Sequence, residues 1–183
     1  MPTPAVNIEY QRFTPAEAGR LADFLTAEPW PFHSGREDRG RIRQRVADGY
    51  YDSDSTRTYW IIAENEHVGF IRLFDLGDST PMFDLRIRAA DRGRGLGTRA
   101  LGWLTEHVFT AEPGASRIEG TTRQDNLAMR RVFRRSGYVQ EGHYRDAWPD
   151  PDGTVHDAVG YAILRRDWLS GTTTAVEWDD ERA

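Results

Sequence analysis

The residues Asp91-Arg92-Gly93-Arg94-Gly95-Leu96-Gly97-Thr98 put a glycine at every second position, with Arg92 and Arg94 interleaved. Glycines at this density are unsuited to a helix interior, where each costs about 1 kcal/mol relative to alanine. They suit a turn whose backbone N–H groups converge on a ligand. A strand-like run, Met82 to Arg88, precedes the turn, and a helix-like run, Arg99 to Phe109, follows it. The first turn of such a helix adds unpaired N–H groups and the positive end of the helix dipole. Together these parts form a cradle for a phosphate-like anion. The spacing G-x-G-x-G departs from the G-x-G-x-x-G of dinucleotide-binding folds. The acidic residue near the expected distance, Glu112, lies beside Pro113 in a loop. A nucleotide P-loop requires a lysine, and the chain contains none. A plain glycine-rich surface turn is the competing structural reading.

Elements that could position this turn follow from periodicity. Ile8 to Phe13 reads as a strand. Thr14-Pro15-Ala16-Glu17 reads as a helix start, with Thr14 and Glu17 as a capping box and Leu21, Phe24 and Leu25 as the apolar stripe. The prolines make Pro29 to Gly35 stiff and extended. A second helix is expected over Asp38 to Tyr50, with Ile42, Val46 and Tyr50 on one face. Arg57 to Glu64 and Val68 to Leu76 read as a hairpin around Asn65-Glu66. In Met82 to Arg88 the alternation has period two, with Phe83, Leu85 and Ile87 on one face and Asp84, Arg86 and Arg88 on the other. A helix from about Gly95 carries Leu96, Ala100, Trp103, Leu104 and Val108. Arg117 to Thr122 is a strand, and Asp125 is the expected cap of a helix ending at Ser136-Gly137. Val139 to Tyr144 and Val155 to Leu164 close the pattern around the turn Pro149 to Gly153. The alternation predicts an α/β (α+β) fold, a mixed and mostly antiparallel sheet of six or seven strands with helices on both faces.

The length of 183 residues suits one domain, expected over 5–170, with a polar acidic tail over 171–183 that should fray. The absence of cysteine excludes disulfides, thiolate metal sites and an acyl-cysteine mechanism, and no metal is assigned. No apolar run approaches the roughly 20 residues of a membrane span. Met1-Pro2-Thr3-Pro4 lacks the charged and apolar regions of a signal peptide. A cytoplasmic protein with no membrane or nucleic-acid partner is expected. The net charge of −5 argues against nucleic acid and mildly favours a cationic ligand.

Arg92-x-x-Gly95-x-Gly97 resembles the [RQ]-x-x-G-x-[GA] pyrophosphate loop of the GNAT N-acetyltransferases. A second segment, Asn126-Leu127-Ala128-Met129 leading to Phe133 and Ser136-Gly137-Tyr138, resembles the "N-x-x-[SA]…GF" segment of that family. It is most similar to the branch containing ribosomal-protein N-terminal acetyltransferases. The resemblance extends from about Ile8 to Trp168. It implies the GNAT fold and acetyl-CoA as cofactor. Arg92, Gly93, Arg94, Gly95, Leu96, Gly97 and Thr98 would wrap the pyrophosphate. Leu85, Ile87 and Arg88 would offer backbone partners to the pantetheine arm, and Asn126 would contact it. A backbone N–H near Ile87 would stabilise the oxyanion.

Acetyl transfer needs a neutral amine, whereas an alkylamine is mostly protonated at pH 7. The carboxylates expected near the cleft are Asp84, Glu119 and Glu141. Asp84 lies just before the loop, where an ion pair with Arg86 or Arg88 is the competing role. The sequence departs from the branch at Met129, where a serine often stands as the proposed acid for the leaving thiolate. Tyr138 and Tyr144 are substitutes, with Tyr138 equally suited to the core. For the acceptor, Trp30, Phe32 and His33 form one candidate wall, and Phe74, Asp75, Asp146 and Trp148 another, with Asp84 between. Aromatics with carboxylates suit a small-molecule cationic amine. Glu28 to Ser34, Phe83 to Arg88 and Tyr144 to Asp150 are similar to the branch that acetylates kasugamycin-type aminoglycoside antibiotics. The branch as a whole equally implies a protein N-terminal acetyltransferase, and Met129 leaves room for a non-catalytic acyl-CoA-binding module. A homodimer is compatible with each.

Overall fold

The computed structural model describes residues 7–33 and 38–178. Its elements run β1 (Ile8–Arg12), a 3-10 turn (Pro15–Glu17), α1 (Ala18–Thr26), α2 (Arg39–Ala47), β2 (Arg57–Ala63) and β3 (Glu66–Phe74). They continue with β4 (Met82–Ile87), α3 (Leu96–Ala111), β5 (Arg117–Arg123), α4 (Leu127–Arg135), β6 (Val139–Pro149), β7 (Val155–Leu164) and α5 (Arg165–Ser170). The seven strands form one sheet in the order β1-β2-β3-β4-β5-β7-β6. Every neighbouring pair is antiparallel except β4 and β5.

That parallel pair meets only at Met82 and Glu119. Beyond this root the two strands part, and the sheet is split. The ladders on either side show what faces the gap. Arg88 N–H reaches Val68 and Gln124 N–H reaches Asp157. Bonded positions alternate along an antiparallel ladder, so Arg86 faces β3 and Thr122 faces β7. The backbone groups of Leu85 and Ile87 on β4, and of Thr121 and Arg123 on β5, therefore point into the split.

Gly120 lies near the root. A Cβ there would stand 2.8 Å from the rings of both Phe83 and Phe133. A side chain would displace the aromatic packing that holds the two halves together.

Two cores cover the sheet faces. Leu21, Ala22 and Leu25 of α1 and Ile42 and Val46 of α2 pack on Phe13, Tyr51, Trp60 and Phe70. On the opposite face, Leu96, Ala100, Leu101, Leu104 and Val108 of α3 and Phe133 of α4 pack on Ile61, Ile71, Ile118 and Tyr161. The period-two reading of Met82 to Arg88 follows this division, since Asp84 and Arg86 share the α1–α2 side with Phe70.

Local start and stop signals explain the boundaries. Thr14 and Glu17 form the expected capping box. Glu64 and Asn65 both take positive φ, which closes β2 and β3 with a tight two-residue turn. The second helix ends earlier than its apolar spacing suggests. Gly49 takes φ 78°, and Tyr50 lies beyond the helix. The cap of α4 is Asn126, whose side chain accepts the Met129 N–H. The expected cap, Asp125, instead pairs with Arg123 at 2.7 Å. The stretch after α5 is partly held: Asp167 accepts both the N–H and the hydroxyl of Thr174. Ser34 and Gly35 of the stiff segment and 179–183 of the expected tail lie outside the described residues.

Candidate active site

The split opens between two cavities. One, of about 350 Å³, runs over the glycine loop and is lined by Arg92, Gly93, Gly95, Leu96, Gly97 and Thr98. The other, of about 410 Å³, lies on the α1–α2 face and includes Tyr50, Tyr51, Arg72, Phe74, Asp84 and Trp148. Both are lined by Phe32, His33, Leu85, Arg86, Asn126 and Met129, which form the waist. A wider outer chamber of about 710 Å³, lined by Glu28, Trp30, Asp150 and Asp152 among others, adjoins it.

The loop has the form of an anion cradle. Gly93 and Gly95 take φ of 79° and 78°, a left-handed conformation that side chains resist. Helix α3 begins with no side-chain cap, so the N–H groups of Leu96, Gly97 and Thr98 have no acceptor among the described residues. Gly97 lets α4 approach: its Cβ would lie 3.2 Å from Val132. The loop region already holds an anion of the chain itself. The Glu28 carboxylate, at the end of α1, accepts the Ala89 N–H at 2.9 Å and lies 3.3 Å from Arg92.

The arginines of this region divide their work. Arg92 lines the cavity and donates to the Ile87 carbonyl. Arg88 and Arg94 instead grip the buried Asp91 from two sides, at 2.7 and 2.9 Å, and reach Glu66 and Glu64. Their side chains brace the loop from behind and line neither cavity. The expected contact of Arg94 reduces to its backbone, and the backbone groups expected of Arg88 are taken, its N–H by the Val68 carbonyl and its carbonyl by the Asp91 N–H.

At the waist, His33 Nε2 lies 3.0 Å from Asp84 Oδ1. Asp84 is also held by Arg86, with Nη2 at 2.9 Å. Burial alone would raise the Asp84 carboxyl. The charges and hydrogen bonds of Arg86 and His33 outweigh it and hold the carboxyl well below its usual range. Asp84 is thus a fixed anion and a poor proton acceptor, contrary to its expected role as base. Because a carboxylate only accepts, His33 carries its proton on Nε2, and in the neutral ring Nδ1 keeps the lone pair.

The other expected acid–base residues lie elsewhere. Glu119 sits at the closed root of the split and pairs with Arg117 at 3.1 Å. Glu141 pairs with the same Arg117. Neither lines the three cavities around the waist. Tyr138 is buried in the α3 core, 2 % exposed, against Phe83 and Phe133, and its hydroxyl meets that of Thr105 at 2.9 Å. Burial pushes its phenol up, and the side chain is a core aromatic. Tyr144 packs over Gly142 and Gly160 on the sheet edge. Met129 does reach the waist, where its thioether has no proton to give.

Asn126 lines both cavities, but its side chain is engaged at both ends: it caps α4 and donates to Thr122 Oγ1 at 3.0 Å. Of the expected acceptor walls, Trp30, Phe32, His33, Phe74 and Trp148 line the cavities. Arg86 and Arg92 flank the Trp30 ring, and Arg123 covers Phe32 at 5.0 Å. Asp75 takes φ 55° in an exposed turn outside them, and Asp146 is likewise exposed. Sequence reasoning did not single out Glu28, Tyr51 or Arg72; it named Tyr50 only on a helix face and Arg86 only as the competing ion-pair partner of Asp84, a pair that is present. The one signal for Arg72 was a charge inside the apolar run Gly69 to Phe74.

The model of the acetyltransferase (GNAT) domain matches residues 8–139. The chain belongs to the GNAT acetyltransferase family. It is an acetyl-CoA-dependent N-acetyltransferase. Solved structures share the fold at low identity. A ribosomal L7/L12 α-N-protein acetyltransferase in complex with coenzyme A is 18 % identical, with 86 % of this chain and 93 % of that one covered and a TM-score of 0.75. A dodecameric spermidine N-acetyltransferase from Vibrio cholerae is 15 % identical, with 90 % and 97 % covered and a TM-score of 0.75. The aminoglycoside acetyltransferase AAC(6')-Ib in complex with coenzyme A is 19 % identical, with 90 % and 98 % covered and a TM-score of 0.70. No curated protein matches the chain in sequence.

The loop fits the cofactor's pyrophosphate. It offers unpaired N–H groups and Arg92, and its surroundings already hold the Glu28 carboxylate. Acetyl-CoA supplies an activated thioester carbonyl. The strand groups of Leu85 and Ile87 that face the split, apart from the Ile87 carbonyl held by Arg92, lead from the loop to the waist. Among the described residues no helix is long and apolar enough to cross a membrane.

Proposed function

We propose that this GNAT enzyme acetylates the primary amine of a small polar molecule, that the amine enters from the Tyr50–Trp148 cavity, and that His33 removes its proton. One observation carries this reading. Of the six residues common to both cavities, His33 alone has an imidazole, and its hydrogen bond to Asp84 leaves Nδ1 as the acceptor nitrogen. Asp84 orients the ring and stabilises the imidazolium formed, while Arg86 keeps Asp84 ionised. The N–H groups of Leu85 and Ile87 face the gap and are the donors for charge developing on the carbonyl oxygen. No acidic side chain at the waist serves the departing thiolate, so water protonates it. Arg92, Gly93, Gly95, Leu96, Gly97 and Thr98 hold the pyrophosphate.

The test is thiol release from acetyl-CoA with a panel of aminoglycosides, polyamines, amino acids and short peptides. Turnover on a small amine, abolished in His33→Gln with acetyl-CoA affinity retained, supports the reading. Turnover on peptides alone favours a protein N-terminal acetyltransferase. Cofactor binding without turnover on any amine favours a non-catalytic acyl-CoA-binding module. A kasugamycin-type aminoglycoside is a specific second reading. The outer chamber has room for it and is lined by Trp30, Glu28, Asp150 and Asp152, with Glu28 paired to Arg92 and Asp150 to Arg123 and His156. A homodimer belongs to the same proposal, and light scattering showing a monomer would remove it.

A further inference from the structure

Arg72 of β3 is 9 % exposed and lines the acceptor cavity. Its guanidinium lies between two rings, 3.7 Å from the Tyr50 centroid and 4.4 Å from that of Phe74. Its Nε donates to the Tyr50 carbonyl at 2.8 Å. Among the described residues, its two Nη groups have no acceptor and no carboxylate pairs with it. The nearest acid across the ladder is Asp84, and its oxygens are given to His33 and Arg86. Arg86 lines the same cavity and is already paired with Asp84, the one carboxylate among the described residues that line it. A second donor lacks an acceptor there as well: the indole N–H of Trp148 is buried and unbonded. A buried guanidinium without an anion is costly, and buried charges in proteins are normally paired. The aromatic clamp leaves the Nη edge as a planar fork, which matches a carboxylate.

We propose that the acceptor amine also carries a carboxylate, and that Arg72 receives it while the amine lies at the waist beside His33. The substrate class is then an amino acid-like zwitterion, such as an amino acid, a short peptide acid or an amino sugar acid. Charge at the carboxylate end separates it from a polyamine. This rests on the acetyltransferase reading above.

The experiment uses matched pairs differing only in the carboxylate: β-alanine and β-alaninamide, γ-aminobutyrate and its amide, dipeptides with free and amidated C-termini. Thiol release is measured at saturating acetyl-CoA. The acid member is expected to show a roughly 10- to 100-fold higher kcat/KM, the size of a lost charged hydrogen bond. Arg72→Gln abolishes that preference, chiefly through KM, while Arg72→Lys retains part of it. Acetyl-CoA affinity stays unchanged in both variants. Equal rates within every pair, or a preference that survives in Arg72→Gln, would overturn the proposal. Binding is read separately, as the rise in Tm with N-acetyl-β-alanine against N-acetyl-β-alaninamide. A rise confined to the acid and lost in Arg72→Gln, with no turnover on any amine, keeps the carboxylate site and removes the catalytic reading. Turnover without carboxylate preference does the reverse. Absence of both a shift and a preference sinks the site.

Discussion

His33 Nε2 stands 3.0 Å from Asp84 Oδ1, and that contact determines which imidazole nitrogen is free. Two residues 51 positions apart in the chain are joined at the point where both cavities meet. The carboxylate is fixed as an anion, so proton uptake passes to the imidazole.

His33→Gln is therefore expected to lower kcat by about 100-fold, the low end of general-base contributions. The acetyl-CoA dissociation constant should stay unchanged. An unaltered kcat would remove His33 from the mechanism.

Asp84→Asn tests the orienting anion and has a stability signature. The folded carboxyl is held low, so its contribution is fully present above the unfolded range near about 3.9 and is lost as pH falls through the lower folded value. Breaking the half-buried pair with Arg86 should cost about 1–2 kcal/mol at neutral pH. Denaturant unfolding against pH should show the gap to the parent chain narrowing only below about pH 4. A gap independent of pH down to strong acid would contradict the low carboxyl.

For the cradle, Gly95→Val forces a branched side chain into φ 78°. The left-handed conformation costs roughly 1–2 kcal/mol, and the N–H groups beside it would turn away. Calorimetry should show acetyl-CoA affinity reduced at least about tenfold, equivalent to about 1.4 kcal/mol. Arg92→Ala should produce a loss of similar size, and Arg94→Ala a smaller one through the loosened Asp91 brace. An Arg94→Ala loss larger than that of Arg92→Ala would reverse the division of roles between the two side chains.

Tyr138→Phe separates core from catalysis. It removes the hydroxyl partner of Thr105 and nothing at the waist. The expected outcome is about 1 kcal/mol less stability with kcat unchanged. A large drop in kcat at unchanged stability would return Tyr138 to the acid role.

Much of this protein is legible in order along the chain. Alternation in Met82 to Arg88, the Thr14–Glu17 box and the glycines at 93 and 95 are local signals. Each depends on backbone geometry within a few residues, and each element they mark is present. The family motif at Arg92 to Gly97 is local for the same reason, since a phosphate cradle is built from consecutive N–H groups.

The active site depends on distances that no local pattern contains. Asp84 and Glu119 are both acidic strand residues before the cleft. Strand register places one at the waist and the other at the closed root of the split beside Arg117. Arg88 and Arg94 flank the motif arginine Arg92 in sequence, yet Asp91 lies behind the loop and draws both away from the cavity. Arg72 is hidden for the opposite reason: its neighbours in sequence are apolar, and its meaning comes from Tyr50, Phe74 and the spent oxygens of Asp84. Residue order determined the family, the elements and the cradle. Only the tertiary structure decided which charges neutralise one another and which remain to meet a ligand, because ion pairing depends on separation in space.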